Sequence, residues 1–238
     1  MQGDSILYWK RFYFKRNPSK RVFQVFSWLG VLIYLLRLCN SDYLKRLFLL
    51  PASYVSEGER ETLAKQFVRE EVVPRFYAEI IEKLRDHLRQ GFRVVIISAS
   101  PIFYLKYLKD HLPESIIIGT DFIFPSKGFF RLPVIDSKWG NMKGATKVRF
   151  IKENLPDHNE GKGCHAYSDS HHDIPLLNYA QWPVAVQPNA KLARLAQESG
   201  WSILWPLQAK SNWRRNLRKA WLLLSDLGTW PVMPNNLK

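Results

Sequence analysis

Three short polar stretches of the chain carry side chains that could bind a phosphoryl group and a metal ion. Ser98 ends a hydrophobic run, Lys143 precedes a predicted helix, and Asp169 and Asp173 stand four positions apart. A phosphoryl group in transfer spreads negative charge over its oxygens, so its site needs cations and hydrogen-bond donors. Magnesium commonly binds one or two carboxylates together with waters. The three stretches therefore predict phosphoryl chemistry that uses Mg²⁺.

Each of these residues also has an ordinary structural explanation when it is taken alone. Ser98 could cap a helix, Lys143 could be one of many solvated lysines, and Asp169 and Asp173 could be loop and helix-cap acids. Their order and context favour the chemical interpretation, because a strand-end serine, a helix-start lysine and strand-end aspartates follow one another. Only a nucleophile is lacking from the set.

The elements that must position these side chains alternate between helix and strand from residue 74 onward. The β-branched run at 94–97 is typical of a strand that is covered on both faces of a parallel sheet. Ligands of such sheets bind beyond the carboxyl ends of the strands, where Ser98 and Asp169 would meet. Further strands are predicted at 116–118, 164–168, 184–186 and 201–205, and further helices at 144–155, 174–180 and 189–200.

Two local features are predicted within this region. Residues 122–124 and 129–130 are expected to pair as a hairpin through the turn between them. Ser100 is expected to cap a helix whose first residue is Pro101.

Histidines beside the two aspartates raise the alternative of a zinc or iron site. His165 lies within a predicted strand and should point away from the loop that follows it. His171 and His172 are adjacent and are expected to diverge. The transition-metal alternative is therefore disfavoured against magnesium.

The region before residue 74 has helical periodicity throughout, from residue 5 to residue 73. Ser56 and Glu59 predict a capping box there. The segment 22–39 is the one candidate for a membrane span, but it has 18 residues and contains Arg37. Because a spanning helix needs about 20 mostly apolar residues, a buried or membrane-surface helix is favoured.

Charge and composition limit the classes of binding partner that the sequence favours. The 238 residues carry 35 Lys+Arg against 21 Asp+Glu, a formal charge of +14, which favours an anionic partner such as a phosphorylated metabolite or a lipid headgroup. Nucleic acid is disfavoured, because charge is its only support.

Two isolated cysteines and no signal peptide indicate the cytoplasm. In the tail, residues 207–238, Trp213, Leu217 and Trp221 form a stripe flanked by basic residues, which fits either a membrane surface or packing on the domain.

At these motifs the sequence resembles the haloacid dehalogenase (HAD) superfamily. VVIISASP at 94–101 resembles its second motif, NMKGATKVRFI at 141–151 its third, and AYSDSHHDIPLL at 166–177 its fourth. The fourth motif and the sequence VAVQPNAKLARLAQESGW that follows resemble subfamily IB. That subfamily includes phosphoserine-phosphatase-like enzymes and phosphatidylglycerophosphatase C. The resemblance covers about residues 1–206.

The resemblance implies a fold and a role for each site residue. The fold would be α/β, a Rossmannoid parallel sheet at 74–206 with a helical cap at 5–73 that closes over the site and selects the substrate. Ser98, Ala99, Ser100 and Lys143 would contact the phosphoryl group. Asp169 and Asp173 would bind Mg²⁺, Asp173 either directly or through water.

The first motif of the family, a strand followed by DxDGT, is absent from the printed residues. Gln2-Gly3-Asp4-Ser5 resembles the end of the longer form DxDGTLxxGDS. The nucleophilic aspartate would then precede Met1, so the printed chain is expected to be truncated and inactive. The absent strand is central in this fold, and each backbone group that it leaves buried and unpaired costs roughly 1–3 kcal/mol. We predict that in-frame codons before Met1 encode the motif.

The expected function is hydrolysis of a phosphomonoester through an aspartyl-phosphate, on either a small or a lipid phosphate ester. The alternative is a catalytically inactive relic of the family that binds phosphate or a membrane surface.

Overall fold

The computed structural model describes residues 4–155 and 159–207, together with Arg214 and Leu222. They form an α/β fold in which helices come first and parallel strands alternating with helices follow, as predicted. The α-helices are α1 (Ser5–Arg16), α2 (Gln24–Leu35), α3 (Ser41–Leu49), α4 (Glu57–Phe67), α5 (Ala78–Arg89), α6 (Ile102–Leu105), α7 (Ala145–Asn154), α8 (Ile174–Tyr179) and α9 (Ala190–Glu198). The strands are β1 (Val95–Pro101), β2 (Ile116–Thr120), β3 (Phe122–Ile123), β4 (Val134–Ile135), β5 (His165–Ser168), β6 (Trp182–Val186) and β7 (Ser202–Leu204).

Side-chain caps fix the starts of the N-terminal helices. The Asp4 carboxylate accepts a hydrogen bond from the Ile6 amide at 3.2 Å and so caps α1. The Ser56 hydroxyl accepts from the Glu59 amide at 3.2 Å and caps α4, which confirms the serine half of the predicted capping box. These caps satisfy amide groups that have no partner inside their own helices.

One hydrophobic cluster joins the helical region to the α/β region. Trp9 of α1 packs edge-to-face on Phe67 of α4, with ring centroids 5.3 Å apart, and stacks on Tyr104 of α6 at 5.8 Å. Phe122 of β3 belongs to the same cluster. The predicted boundary between cap and core at residue 73 is therefore crossed by continuous packing, and the division itself stays a prediction.

Beyond residue 207, the structure describes two residues of the predicted tail, Arg214 and Leu222. Leu222 is 1% exposed and belongs to the same hydrophobic cluster as Trp9. Trp213, Leu217 and Trp221, the stripe on which the membrane-surface interpretation of the tail depends, lie outside the described residues.

The strands are arranged in three sheets within the described residues. β1 pairs with β2 in parallel, with Val95 opposite Ile116, and β5, β6 and β7 form a second parallel sheet in that order. β1 and β5 are not hydrogen-bonded to one another in this part of the chain. Each therefore presents an edge on the side away from its partner.

The short antiparallel pair differs from the predicted hairpin. β3 pairs with β4, with Phe122 opposite Ile135, so the returning strand lies at 134–135 and not at 129–130. The side chains of Phe129 and Phe130 are 99% and 46% exposed. Aromatic composition predicted a strand there, but these residues lie in the connecting loop, where they have no neighbouring strand to pair with.

α2 occupies the segment that the sequence marks as a membrane candidate. Its twelve residues correspond to about 18 Å at the usual helical rise. Across the described ranges, 4–155 and 159–207, no helix has both the length and the apolar character needed to cross a membrane.

Candidate active site

The end of β1 carries three of the predicted phosphate-binding residues. The Ser98 hydroxyl accepts a hydrogen bond from the Ser100 amide at 3.1 Å, which closes a side-chain turn within β1 where its register with β2 shifts between Ile97 and Pro101. The Ala99 carbonyl accepts from the Lys45 ammonium and from the Thr120 hydroxyl, both at 3.0 Å. The turn is thus held from two sides, by α3 and by β2.

Ser100 does not cap the helix that follows, contrary to the prediction. β1 runs on to Pro101, and α6 begins at Ile102 with no side-chain cap. The Ser100 hydroxyl shares a 2.6 Å hydrogen bond with the Ser5 hydroxyl, which shares a second one with the Tyr104 hydroxyl at 2.8 Å. These hydrogen bonds fix the start of α1 at the carboxyl end of β1.

A polar network that the sequence reasoning missed surrounds Asn141. The side-chain oxygen of Asn141 accepts from the Lys45 ammonium at 3.2 Å and lies 3.1 Å from the Thr120 hydroxyl, whose single proton it shares with the Ala99 carbonyl. The amide nitrogen of Asn141 donates to the Asp42 carboxylate at 2.5 Å. The position of Asn141 beside the lysine motif was a usable signal, but nothing in the spacing linked it to Lys45 and Asp42, which lie about a hundred positions earlier.

Lys45 brings positive charge to the same place. Burial lowers the pKa of the Lys45 ammonium. The carboxylates of Asp4 and Asp42 raise that pKa and so oppose the shift, whereas the ammonium groups of Lys143 and Lys147 lower it further. Three lysines thus act on one another electrostatically near the end of β1, which is the field that a phosphoryl group requires.

The lysine that pairs with the fourth motif is Lys147, on α7. Its ammonium lies 2.7 Å from Oδ2 of Asp173, and the Ser168 hydroxyl donates to the same oxygen at 2.7 Å. The side chains of Lys147 and Asp173 are 8% and 9% exposed. The predicted residue, Lys143, is half-buried, and its ammonium has no ion-pair or hydrogen-bond partner among the described residues.

The two aspartates differ in their surroundings. Asp169 directly follows β5 and is exposed, whereas Asp173 is buried. Their carboxylates are hard oxygen donors of the kind that Mg²⁺ prefers, and one or two of them suffice when waters complete the coordination. In the described part of the chain, no group of three His, Cys, Asp or Glu side chains converges on a metal position. The donor chemistry fits magnesium, and the assignment of Asp169 and Asp173 as its ligands stays a prediction.

The histidines lie in two separate places. His165 of β5 stacks on Trp182, with ring centroids 4.6 Å apart, and lies equally close to His87. The rings of His171 and His172 lie 4.0 Å apart, so they do not diverge as expected. Burial lowers the pKa of His172, and the charges of Lys143 and His171 add to this effect.

A comparison with protein-family models gives the family. The model that matches is that of the haloacid dehalogenase-like hydrolases, over residues 1–178. The chain is 27% identical over 173 residues to a histidinol-phosphatase of Neisseria meningitidis. The aligned region covers 68% of this chain and 74% of that protein. It is 30% identical over 154 residues to the phosphoserine phosphatase SerB1 of Mycobacterium tuberculosis. That aligned region covers 62% of this chain and 47% of that protein. The chain thus spans about half the length of the mycobacterial relative.

Comparison with solved structures supports the fold. A protein of unknown function from Bordetella pertussis superposes with a TM-score of 0.66 at 20% identity, over 86% of this chain and 92% of that one. Because the family model matches well over half of the chain and the α/β architecture agrees with this structural likeness, the chain belongs to the haloacid dehalogenase-like hydrolase family.

Proposed function

We propose that the chain is the body of a magnesium-dependent phosphatase that hydrolyses a phosphomonoester. The main support for this proposal is the electrostatic link between two strand ends: Lys45 contacts Ala99 beside the Ser98–Ser100 turn, and the charge of Lys147, which pairs with Asp173 after β5, acts on Lys45. Relatives named histidinol-phosphatase and phosphoserine phosphatase support a phosphate ester of a small molecule as the substrate.

The residues at the end of β1 would hold the phosphoryl group. The Ser98 hydroxyl already accepts from the Ser100 amide and has its own proton free to donate to a phosphoryl oxygen. Lys143, which is half-buried near Lys45, would neutralise the phosphoryl charge. This assignment keeps the role that the motif implies for Lys143.

We add Lys147 to the proposed site. Its contact with Asp173 places an ammonium at the carboxylate expected to face the metal. It would hold the Asp173 carboxylate in place through a charge-assisted hydrogen bond. Asp169 and Asp173 are the residues that would hold Mg²⁺, which when bound neutralises charge on the phosphoryl oxygens.

The nucleophile of this chemistry would be an aspartate of a DxDGT motif, which does not occur in the printed residues. Ser5, at the start of α1, contacts Ser100 at the end of β1. The start of α1 therefore lies at the end of β1 that carries the predicted phosphate-binding residues. We expect activity only from a chain that carries the DxDGT motif.

The experiment is a phosphatase assay on a chain extended in frame upstream of Met1. We expect release of phosphate from p-nitrophenyl phosphate in the presence of Mg²⁺ and its loss with EDTA. Asp169→Asn should raise the Mg²⁺ concentration needed for half-maximal rate, whereas Lys162→Gln, at an exposed position on the loop before β5, should leave it unchanged. An extended chain that carries DxDGT but releases no phosphate would contradict the proposal.

A catalytically inactive, phosphate-binding member of the family is the second candidate. It is favoured by the absence of DxDGT from the printed residues together with the clustered lysines. Calorimetric titration of the printed chain with inorganic phosphate distinguishes the two candidates when combined with the assay. Binding without activity in the extended chain would support the relic.

We propose two classes of substrate, a lipid phosphate and a small phosphate ester. We also propose that the chain belongs to subfamily IB. A cytoplasmic location and association with an anionic membrane are likewise proposals. The rates of the extended chain on phosphoserine and on phosphatidylglycerophosphate in mixed micelles would distinguish the two substrate classes. Nucleic acid has no support beyond the net charge.

A further inference from the structure

The helix α2 buries a side made mostly of small and polar residues and exposes most of its large apolar side chains. Its buried residues are Gln24, Ser27, Gly30 and Val31, three of which are polar or lack a side chain. Gly30 lies against α3 so closely that a Cβ built on it would be 2.4 Å from Cδ1 of Leu47. The large apolar side chains of α2 consequently point the other way, although an ordinary surface helix turns its apolar face to the core.

The outward face of α2 and its flanks is continuous. Val25, Leu29, Leu32 and Leu36 recur at helical spacing and are 50–59% exposed. Nine of the sixteen exposed large hydrophobic residues in the described chain lie within 22–38. Single exposed apolar residues are ordinary, but a concentration of this kind marks a surface that contacts another apolar phase.

The loop between β3 and β4 extends this surface. The ring of Phe130 contacts that of Phe26, with centroids 5.5 Å apart, and Phe129 beside it is 99% exposed. The Tyr54 hydroxyl donates to the Phe129 carbonyl at 2.7 Å and accepts from the Arg131 amide at 3.2 Å, which anchors the loop. We refer to the exposed apolar residues of 22–38 together with Phe129 and Phe130 as the α2 face.

The two chain segments that carry the α2 face are basic in sequence. Residues 5–41 contain seven lysines and arginines and no aspartate or glutamate, and the loop at 124–133 contains two basic residues and no acidic one. Lys15, Arg21, Arg37 and Lys127 are exposed. An apolar helix face beside cations is the pattern of helices that lie in the interface of a bilayer with anionic lipids.

We infer that the α2 face is a docking surface for a lipid bilayer with anionic headgroups, with α2 lying in the plane of the interface. Its twelve residues correspond to about 18 Å, well short of the ~30 Å of the hydrocarbon core, so α2 enters the interface and does not cross. The inference goes beyond the proposed phosphatase activity and does not depend on it. The predicted basic tail is not needed for it.

Flotation with vesicles tests the inference on the full printed chain. We expect at least tenfold tighter binding to vesicles of phosphatidylcholine and phosphatidylglycerol (7:3) than to pure phosphatidylcholine. The double variant Leu29→Gln/Leu32→Gln should lose at least tenfold in binding to the mixed vesicles. The matched control Ile123→Gln/Leu207→Gln removes two exposed apolar side chains outside the α2 face and should bind as the unaltered chain does.

Other outcomes overturn the inference. No binding to the mixed vesicles, or binding that the Leu29→Gln/Leu32→Gln variant retains in full, would exclude the α2 face as the docking surface. A self-association in sedimentation equilibrium that this variant abolishes, without any vesicle binding, would identify the face as a contact between two copies. Because both altered positions are exposed, the variant should fold, and its circular dichroism and melting curve check this.

Discussion

The ammonium of Lys147 lies 2.7 Å from Oδ2 of Asp173, and both side chains are almost fully buried. The pair joins α7 to the start of α8, and the Ser168 hydroxyl completes it by donating to the same carboxylate oxygen. The third and fourth sequence motifs are thereby linked through a lysine four positions after the one that the sequence singled out.

Breaking this pair should be costly. Lys147→Met leaves the Asp173 carboxylate buried with only the Ser168 hydroxyl, and removing one partner of a buried ion pair typically costs about 3–5 kcal/mol. Urea unfolding should show a loss of this size in the free energy of unfolding. Lys143→Met is the matched control and should change it by about 0.5 kcal/mol or less. Equal losses in the two variants would contradict the geometry.

The turn at the end of β1 should not tolerate a side chain at Gly119. A Cβ there would lie 2.8 Å from the Ser100 carbonyl oxygen and 3.0 Å from the Ile102 amide nitrogen, both backbone atoms that cannot swing aside. We expect Gly119→Ala to cost roughly 1–3 kcal/mol, as overpacking does.

The control for this change is Gly58→Ala in α4, where a Cβ meets nothing within 4 Å. Alanine is the better helix former by up to about 1 kcal/mol, so this variant should be as stable as the unaltered chain or more so. Thermal melting compares the two variants, and a Gly119→Ala chain that melts with the control would show that the turn is not packed as described.

The hydroxyls of Ser5, Ser100 and Tyr104 should be energetically coupled. Ser5→Ala removes the hydroxyl that lies 2.8 Å from the buried Tyr104 hydroxyl, and the loss of a partner by a buried hydroxyl costs about 1–3 kcal/mol. In a Tyr104→Phe/Ser100→Ala background the same change should lower the free energy of unfolding much less, because neither hydroxyl that Ser5 contacts is then present. Urea unfolding of the four chains measures the coupling, and additive losses would argue against the network.

Two histidines should make the fold sensitive to acid. Burial lowers the pKa of His87, and burial together with the charges of His87 and Lys83 lowers that of His165. Asp86 opposes the shift at His87. Because the folded state holds both rings neutral, the unfolded chain binds protons first, and the free energy of unfolding should fall as the pH drops through 6.5 and below.

Melting temperatures at pH 7.5 and pH 5.5 check this dependence on pH. His165→Phe keeps the stacking surface on Trp182 but removes one titrating group, so its melting temperature should fall less on acidification than that of the unaltered chain. His111→Gln, at an exposed position, should leave the difference between the two pH values unchanged. An identical difference for His165→Phe would contradict the assignment.

The sequence alone determined the succession of elements and the family. Hydrophobic runs of β-branched residues become strands wherever they are long enough to be covered, so 94–97, 116–118 and 184–186 could be placed in advance. The cap at Ser56 is a local hydrogen bond between near neighbours, which makes it predictable as well.

Tertiary structure decided the partners within the site. Lys143 and Lys147 have the same side chain and nearby positions, but Lys147 lies on α7, whose packing against α8 directs it to Asp173, whereas Lys143 precedes the helix. Lys45 and Asp42 reach Asn141 across about a hundred residues, a distance that no local pattern encodes. The outward apolar face of α2 is likewise a tertiary result, because the closeness of Gly30 to Leu47 on α3 fixes which side of the helix is covered.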